Sequence, residues 1–298
     1  MPPARGSALA GAYRAPLIIA EAANNHGGDV ERAIELARAA KRAGVDVVKF
    51  QIGISELCGP TSPLAAEFRR LELPLSTWNQ VREECRKIGV GWTASVWSQA
   101  AAEYLAGTDA PFVKIGSGDL TYAPTLRAAV RTGKPLVLST GLATEEEIRD
   151  ALATLRSDPL RRPGTRVTLL ACTVDYPCLT AEAHLARLQT LDRLAETESI
   201  VDSVGYSSHC ADWRVPAYAA RMGASVVEAH LGLAGEKDGS LGPEGFASMV
   251  AVARGIVTPP WDDVFALEAW GRPELGIHDC ELPWVGVARR DPATGVRT

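Results

Sequence analysis

The chain has 298 residues, 46% of them hydrophobic, enough to bury a large core as one big α/β domain or two smaller ones. Its net charge of −5, with Lys and Arg scattered, offers neither a basic stripe for nucleic acid nor a polybasic patch for a membrane surface, which leaves a small soluble ligand as the expected partner. No secretory leader opens the sequence, no run reaches the ~18 apolar residues that span a bilayer, and the six cysteines are dispersed without a CxxC pair, so a cytoplasmic protein with reduced thiols is expected.

After an N-terminal extension (1–16), short β-branched runs recur along the chain: LIIAEAA (17–23), VDVVKFQ (45–51), VGWTASVW (90–97), PFVKIGS (111–117), PLVLSTG (135–141), TRVTLLACT (165–173), SVGYSSH (203–209) and SVVEAHL (225–231). Between them lie Ala- and Leu-rich segments with helical spacing. One opens on Asp29 as a capping residue and closes on Gly44; another, TEEEIRDALATLRS, carries acids in its first turn. Near-continuous apolar strands alternating with helices predict a parallel sheet covered on both faces, and eight repeats predict closure into a (β/α)8 TIM barrel over 17–257. An open doubly wound sheet is the rival, weakened by the lack of a Gly-rich dinucleotide fingerprint after the first strand. The Pro-rich stretch GIVTPPWDD marks the barrel giving way to a C-terminal tail (258–298) expected to pack on it.

In such a barrel the chemistry sits at the C-terminal strand ends. Those ends are polar here: Glu21 leading to Asn24, Asn25 and His26; Lys49 and Gln51; Ser95; Lys114, Ser117 and Asp119; Ser139 and Thr140; Thr173, Asp175 and Tyr176; Ser207, Ser208 and His209; Glu228 and His230. All are predicted to converge on one mouth. The runs IIAEAANNHGG, AGVDVVKFQ, VKIGSGDLTYAP, TGKPLVLSTGLATEEEI, VGYSSHC and GASVVEAHL, in one order from about Leu17 to Phe246, resemble the N-acetylneuraminate (sialic acid) synthase family. The resemblance implies a metal-dependent barrel that condenses phosphoenolpyruvate with an aldehyde-bearing amino sugar, releasing phosphate and giving an α-keto acid.

The residues support that chemistry on their own terms. A phosphorylated carboxylate needs cations and hydroxyl donors in one cavity, and Lys49, Lys114, Ser117 and Ser139 come from nearby strands. A lysine ending one strand is equally a barrel-mouth ion pair; two lysines with three serines favour an anion site. By resemblance these four hold the phosphate, Ser95 stands where the family has a threonine near the carboxylate, and Asp175 and Tyr176 occupy the phosphoenolpyruvate-contacting segment. His209 and His230 end neighbouring strands ~4.8 Å apart, so both imidazoles can share one Mn2+, Mg2+ or Co2+ ion, and the resemblance implies the same; a core histidine bonded to a carbonyl is the plain alternative. Glu21 is the candidate general base. Asp119 is a candidate for sugar hydroxyls, Glu228 for orienting metal-bound water, and Asn25 either a ligand contact or ordinary turn chemistry.

Departures from the family's pattern fall on the acceptor side. The tail PWVGVARRDPATGVRT stands where typical members continue into an antifreeze-protein-like domain, the loop after strand 8 (LGLAGEKDGSLGPEGF) is shortened with Glu236 or Asp238 as a displaced acid, Asp119 replaces a longer glutamate, and ACTVDYP replaces a less acidic segment. The expected function is a phosphoenolpyruvate-condensing synthase, a homodimer, whose acceptor is a sugar-like aldehyde other than N-acetylmannosamine. A metal-dependent aldolase or lyase without phosphoenolpyruvate, and a non-catalytic ligand-binding barrel, are the alternatives.

Overall fold

The computed structural model describes residues 15–57, 62, 64–233 and 239–297. Eight strands, β1 (Leu17–Ala23), β2 (Val47–Ile52), β3 (Gly91–Val96), β4 (Val113–Ile115), β5 (Leu136–Ser139), β6 (Val167–Cys172), β7 (Val201–Ser208) and β8 (Val226–His230), pair in parallel in sequence order and close through β1 with β8. The (β/α)8 barrel expected from the alternation is the fold. Its helices start as the sequence dictates: Asp29 accepts hydrogen bonds from the N–H groups of Glu31 and Arg32 ahead of the helix Val30–Arg42, and Thr144 with Glu147 forms a capping box at the helix Glu145–Ser157.

Two apolar layers hold the barrel, and strand parity separates them. Residues facing outward pack against the helices, while Leu17, Ile19, Val47, Phe112, Val137, Leu170 and Val226 form a separate, fully buried plug inside. Because side chains alternate along a strand, the next inward position up each strand is fixed by the plug. From Ile19 it is Glu21, from Val47 it is Lys49 and then Gln51, from Phe112 it is Lys114, from Val137 it is Ser139, and from Val226 it is Glu228 and then His230. The plug thus sets which polar groups stand at the mouth. Gly205 permits the close approach of β7 to β8, since a Cβ there would lie 2.3 Å from the Val226 carbonyl oxygen.

Beyond the helix Pro243–Ala253 the chain adds the helix Asp263–Trp270, a 3-10 turn at Asp279–Trp284 and a short helix Val285–Ala288, elements that the strand periodicity does not announce. This segment crosses the mouth. On one side Glu281, fully buried, accepts the Val174 N–H at 2.9 Å and faces the buried Arg187 guanidinium at 3.3 Å. On the other, the Arg290 N–H donates to the Gly118 carbonyl at 2.8 Å, and the Arg297 N–H to the Leu57 carbonyl at 2.8 Å. Gly118 must be glycine for this docking, because an added Cβ would sit 1.8 Å from the Ala288 carbonyl oxygen.

Candidate active site

Register brings the polar strand ends together. Glu21 pairs across to Lys49 on one side and to His230 on the other, Ser95 to both Gln51 and Lys114, and Ser207 to Glu228. Lys49 and Glu21, each 2% exposed, form a direct ion pair. Lys49 also donates to the Ser95 hydroxyl at 2.9 Å, and Gln51 donates to Glu21 Oε1 at 3.3 Å. Lys114 donates to the Ser139 hydroxyl at 2.7 Å and lies 3.5 Å from Glu228, which in turn accepts from the Ser207 hydroxyl at 3.0 Å. Burial by itself would raise the Glu228 pKa, but Lys114 and Lys49 hold it below the usual carboxylate range; burial weakens the hold of Lys114 on its own proton. Two lysines and two glutamates therefore alternate in a buried row, Glu21–Lys49–Glu228–Lys114, with Glu228 Oε2 buried and making no hydrogen bond among the described residues.

Beside Glu21 and Glu228 stand the histidines, their ring centroids 5.2 Å apart. His209 Nδ1 lies 2.6 Å from the Thr173 carbonyl oxygen, an acceptor, so Nδ1 carries the proton and Nε2 presents its lone pair, here to the Tyr176 hydroxyl at 3.0 Å. Burial and the neighbouring His230 lower the His209 pKa to about 3, which keeps the ring in its neutral, ligating form. A carbonyl fixing the far nitrogen is the usual support of a metal-binding histidine, and two rings each ~2.0–2.1 Å from one ion would have centroids about 5 Å apart, so this pair fits a divalent ion completed by water or substrate. No group of three or more His, Cys, Asp or Glu with metal-site spacing occurs among the described residues.

These side chains line a cavity of about 240 Å3. Of the residues expected at the site, Glu21, Lys49, Gln51, Ser95, Lys114, Ser117, Ser139, Tyr176, His209 and His230 line it, and Asp119, Asp175 and Asn25 do not. Asp119 is a correction to the expected sugar contact: its fully buried carboxylate turns toward Arg290 Nε, 3.3 Å away, because a desolvated carboxylate needs a counter-charge and the tail supplies one. Burial raises its pKa despite Arg290 and Arg297. Asp175 accepts from the Trp284 indole N–H at 3.0 Å, and Asn25 donates to the Leu231 carbonyl at 2.9 Å, tying the loop after β1 to the end of β8. Glu236 and Asp238 lie outside the described residues. Ser207 and Glu228 line it too, and strand-end reading missed Trp97, Cys172, Trp284, Val287, Ala288 and Arg297, which are also in the lining. Four of these belong to the tail, where no periodicity marks a side facing the mouth; its density of tryptophan and arginine is the one signal present.

Comparison with known proteins assigns this arrangement. The NeuB family model matches residues 36–258, most of the chain. The chain belongs to the NeuB family. It is 31% identical to the N,N'-diacetyllegionaminic acid synthase of Legionella pneumophila over 248 residues, 78% of this chain and 67% of that protein. Among solved structures, the spore coat polysaccharide biosynthesis protein SpsE of Bacillus subtilis superposes with a TM-score of 0.75 at 25% identity, covering 93% of this chain and 79% of that one. The N-acetylneuraminic acid synthetase of Leptospira borgpetersenii superposes with a TM-score of 0.73 at 25% identity, covering 91% and 90%. As a NeuB-family protein the chain is an enzyme of the sialic acid synthase type, and the sequence resemblance is borne out at that level. No described helix is long and apolar enough to cross a membrane.

Proposed function

We propose that this NeuB-family enzyme condenses phosphoenolpyruvate with an aldehyde to give an α-keto acid and phosphate. The observation that carries the reading is that one cavity is lined by two lysines and three serines (Lys49, Lys114, Ser95, Ser117, Ser139) together with Glu21, the neutral His209 and His230. The phosphate end of the substrate takes Lys114, Ser117 and Ser139, and Lys49 with Ser95 holds the carboxylate end. On anion binding the lysines exchange part of their contact with Glu21 and Glu228 for the substrate, with charge-assisted bonds of ~1.5–3 kcal/mol each. His209 and His230 would hold a divalent ion, whose chemistry when bound is Lewis-acid polarisation of the aldehyde oxygen. Carbon 3 of phosphoenolpyruvate bonds to the aldehyde carbon as the carbon 2–carbon 3 double bond is spent, leaving carbon 2 electron-poor. Water adds to carbon 2 and gives one proton to Glu21, which passes it to the aldehyde oxygen; the hydroxyl left on carbon 2 becomes the ketone as the bond from carbon 2 to the phosphate oxygen breaks, and its proton leaves with the phosphate.

The acceptor is proposed to be more compact than N-acetylmannosamine. Trp284, Val287 and Ala288 line the cavity on the side of the C-terminal segment and narrow the space left for an acceptor beside phosphoenolpyruvate. The cytoplasmic setting and the homodimer remain part of this reading; Val264 and Leu267, 72% and 75% exposed on one helix, are an apolar surface available to a second copy.

The test is phosphate release from phosphoenolpyruvate by the purified chain against a panel of aldehydes, with and without a chelator. Metal-dependent release with a compact aldehyde, and little with N-acetylmannosamine, is expected. Aldehyde turnover without phosphate release would favour a lyase or aldolase instead, and efficient synthesis of N-acetylneuraminate would overturn the acceptor assignment.

A further inference from the structure

We propose that Trp284, delivered by the C-terminal segment of the same chain, is a specificity-determining residue: its indole is the wall against which the acceptor packs, and it selects a sugar-like aldehyde with a deoxygenated, carbon–hydrogen face over one hydroxylated throughout. That the bound aldehyde reacts rests on the phosphoenolpyruvate reading above; that it packs on Trp284 rests on the cavity alone.

Trp284 lines the cavity from the end of the 3-10 turn Asp279–Trp284 and is held from two directions. Its indole N–H donates to Asp175 Oδ1 at 3.0 Å, and its ring meets Tyr176 edge-on with centroids 5.0 Å apart. With Tyr176, Val285 and Ala288 it packs on a small apolar cluster of Leu142, Cys172 and Val174, which roots the wall at the ends of β5 and β6. Three residues earlier Glu281 accepts the Val174 N–H at 2.9 Å, so the turn that carries the indole is tied to the same strand end. A ring fixed in advance loses little freedom when a ligand packs on it. Val287, 43% exposed although it lines the cavity, stands at the rim, so the C-terminal segment forms a side of the cavity that meets solvent.

The chemistry of that side sets what it can hold. The strand ends supply hydroxyls, lysines and carboxylates, whereas Trp284, Val287 and Ala288 bring no uncommitted hydrogen-bonding side-chain group, because the one such group among them, the indole N–H, is bound to Asp175. Arg297, the remaining lining residue of the segment, stacks on Trp97 after β3, while Trp284 stands beside Tyr176 after β6. A hydroxyl pressed against the indole would give up water and gain no side-chain partner from this wall; a methyl or methylene group gains contact with the ring at no such cost. An apolar wall of this kind discriminates against an added hydroxyl by up to about a hundredfold.

The experiment compares butanal with D-erythrose, aldehydes of equal chain length that differ in their hydroxyls, on the full-length chain and on Trp284→Ala and Trp284→Phe. Phosphate release gives kcat/KM for each aldehyde, calorimetry gives phosphoenolpyruvate affinity, saturation-transfer NMR detects each aldehyde without phosphoenolpyruvate, and hydrogen exchange at the Val174 amide reports docking of the segment. Expected is a wild-type preference for butanal of about tenfold or more, a roughly ten- to hundredfold loss for butanal in Trp284→Ala with little change for D-erythrose, a smaller loss in Trp284→Phe, and unchanged phosphoenolpyruvate affinity and Val174 protection. Equal or better use of D-erythrose by the wild type would overturn the inference, as would undiminished butanal turnover or equal losses for both aldehydes in Trp284→Ala. A loss accompanied by lost Val174 protection would overturn direct contact, since the indole would then act by holding the segment down. Where the wild-type chain neither binds nor consumes phosphoenolpyruvate, saturation transfer to butanal that exceeds that to D-erythrose and falls in Trp284→Ala would sustain the wall and overturn the substrate reading alone; transfer without that difference would overturn both.

Discussion

Glu21 stands between a lysine and a histidine: its register partners are Lys49 and His230. A carboxylate buried there is costly unless it is paired, and the Lys49 contact and the Gln51 bond offset that cost while holding the group where a water or a substrate hydroxyl would meet it. Glu21→Gln keeps the shape and the Gln51-facing oxygen but loses the base. Turnover is expected to fall about 10²–10⁴-fold, with phosphoenolpyruvate affinity changed far less, a split read from steady-state kinetics beside direct binding. Equal losses in both would place Glu21 in substrate binding instead. That Glu21, Lys49, Lys114 and His230 share a mouth was legible in the sequence because strand period and strand-end position together fix inward direction. Asp119 and Asp175 do not line the cavity; both follow the strand ends, where the period no longer governs which way a side chain points.

At the scale of elements, the decisive piece is the segment across the mouth, and one carboxylate anchors it. Glu281 takes the Val174 N–H with one oxygen and the His278 N–H, at 3.1 Å, with the other, facing Arg187 as well. Arg187 in turn donates to the carbonyls of Cys172 at 2.7 Å and Glu274 at 3.1 Å, so a single buried ion pair ties the end of β6 to the tail. Removing one partner of such a pair leaves the other charge buried without compensation, which typically costs ~3–5 kcal/mol. Glu281→Ala is expected to lower the unfolding free energy by about that much and to expose the Trp284 indole, read by denaturant melts and tryptophan emission. A melt unchanged from wild type would mean that the tail docks independently of this pair. The strands and the main helices were legible from periodicity and caps, whereas the tail was not: its elements are short, its sequence holds Pro, Gly and Arg without repeat, and its position depends on receptors such as Gly118 and Val174 that lie over 100 residues earlier in the chain.

For the whole molecule, the histidines outside the mouth predict how stability responds to acid. His26 is 1% exposed, its ring edge-on to Trp78 at 5.4 Å, with Nδ1 accepting the Gly28 N–H at 3.1 Å. His184 is 3% exposed, accepts the Arg272 N–H at 3.2 Å through Nδ1, and so joins the barrel to the tail. Burial, the larger cause in both, lowers each pKa from 6.5 to about 4, with Arg187 adding to the effect at His184 and Asp29 opposing it at His26. The folded pKa is depressed, so between about 6.5 and about 4 the unfolded chain binds the extra protons, and stability rises with pH across that window. The contribution is complete above the unfolded value and is lost as pH falls. At pH 5 each histidine is expected to remove about 2 kcal/mol relative to pH 7.5, as an order of magnitude. Asn is the matching substitution: its side-chain oxygen can take over the Nδ1 bond, it does not titrate, and at His184, where φ is +49°, it tolerates the left-handed backbone. The double variant His26→Asn/His184→Asn is therefore expected to show a flatter stability profile between pH 7.5 and 5 than the wild type, measured by urea unfolding at each pH. Parallel profiles would assign the acid response to other groups and would mean that these two rings are protonated in the folded barrel.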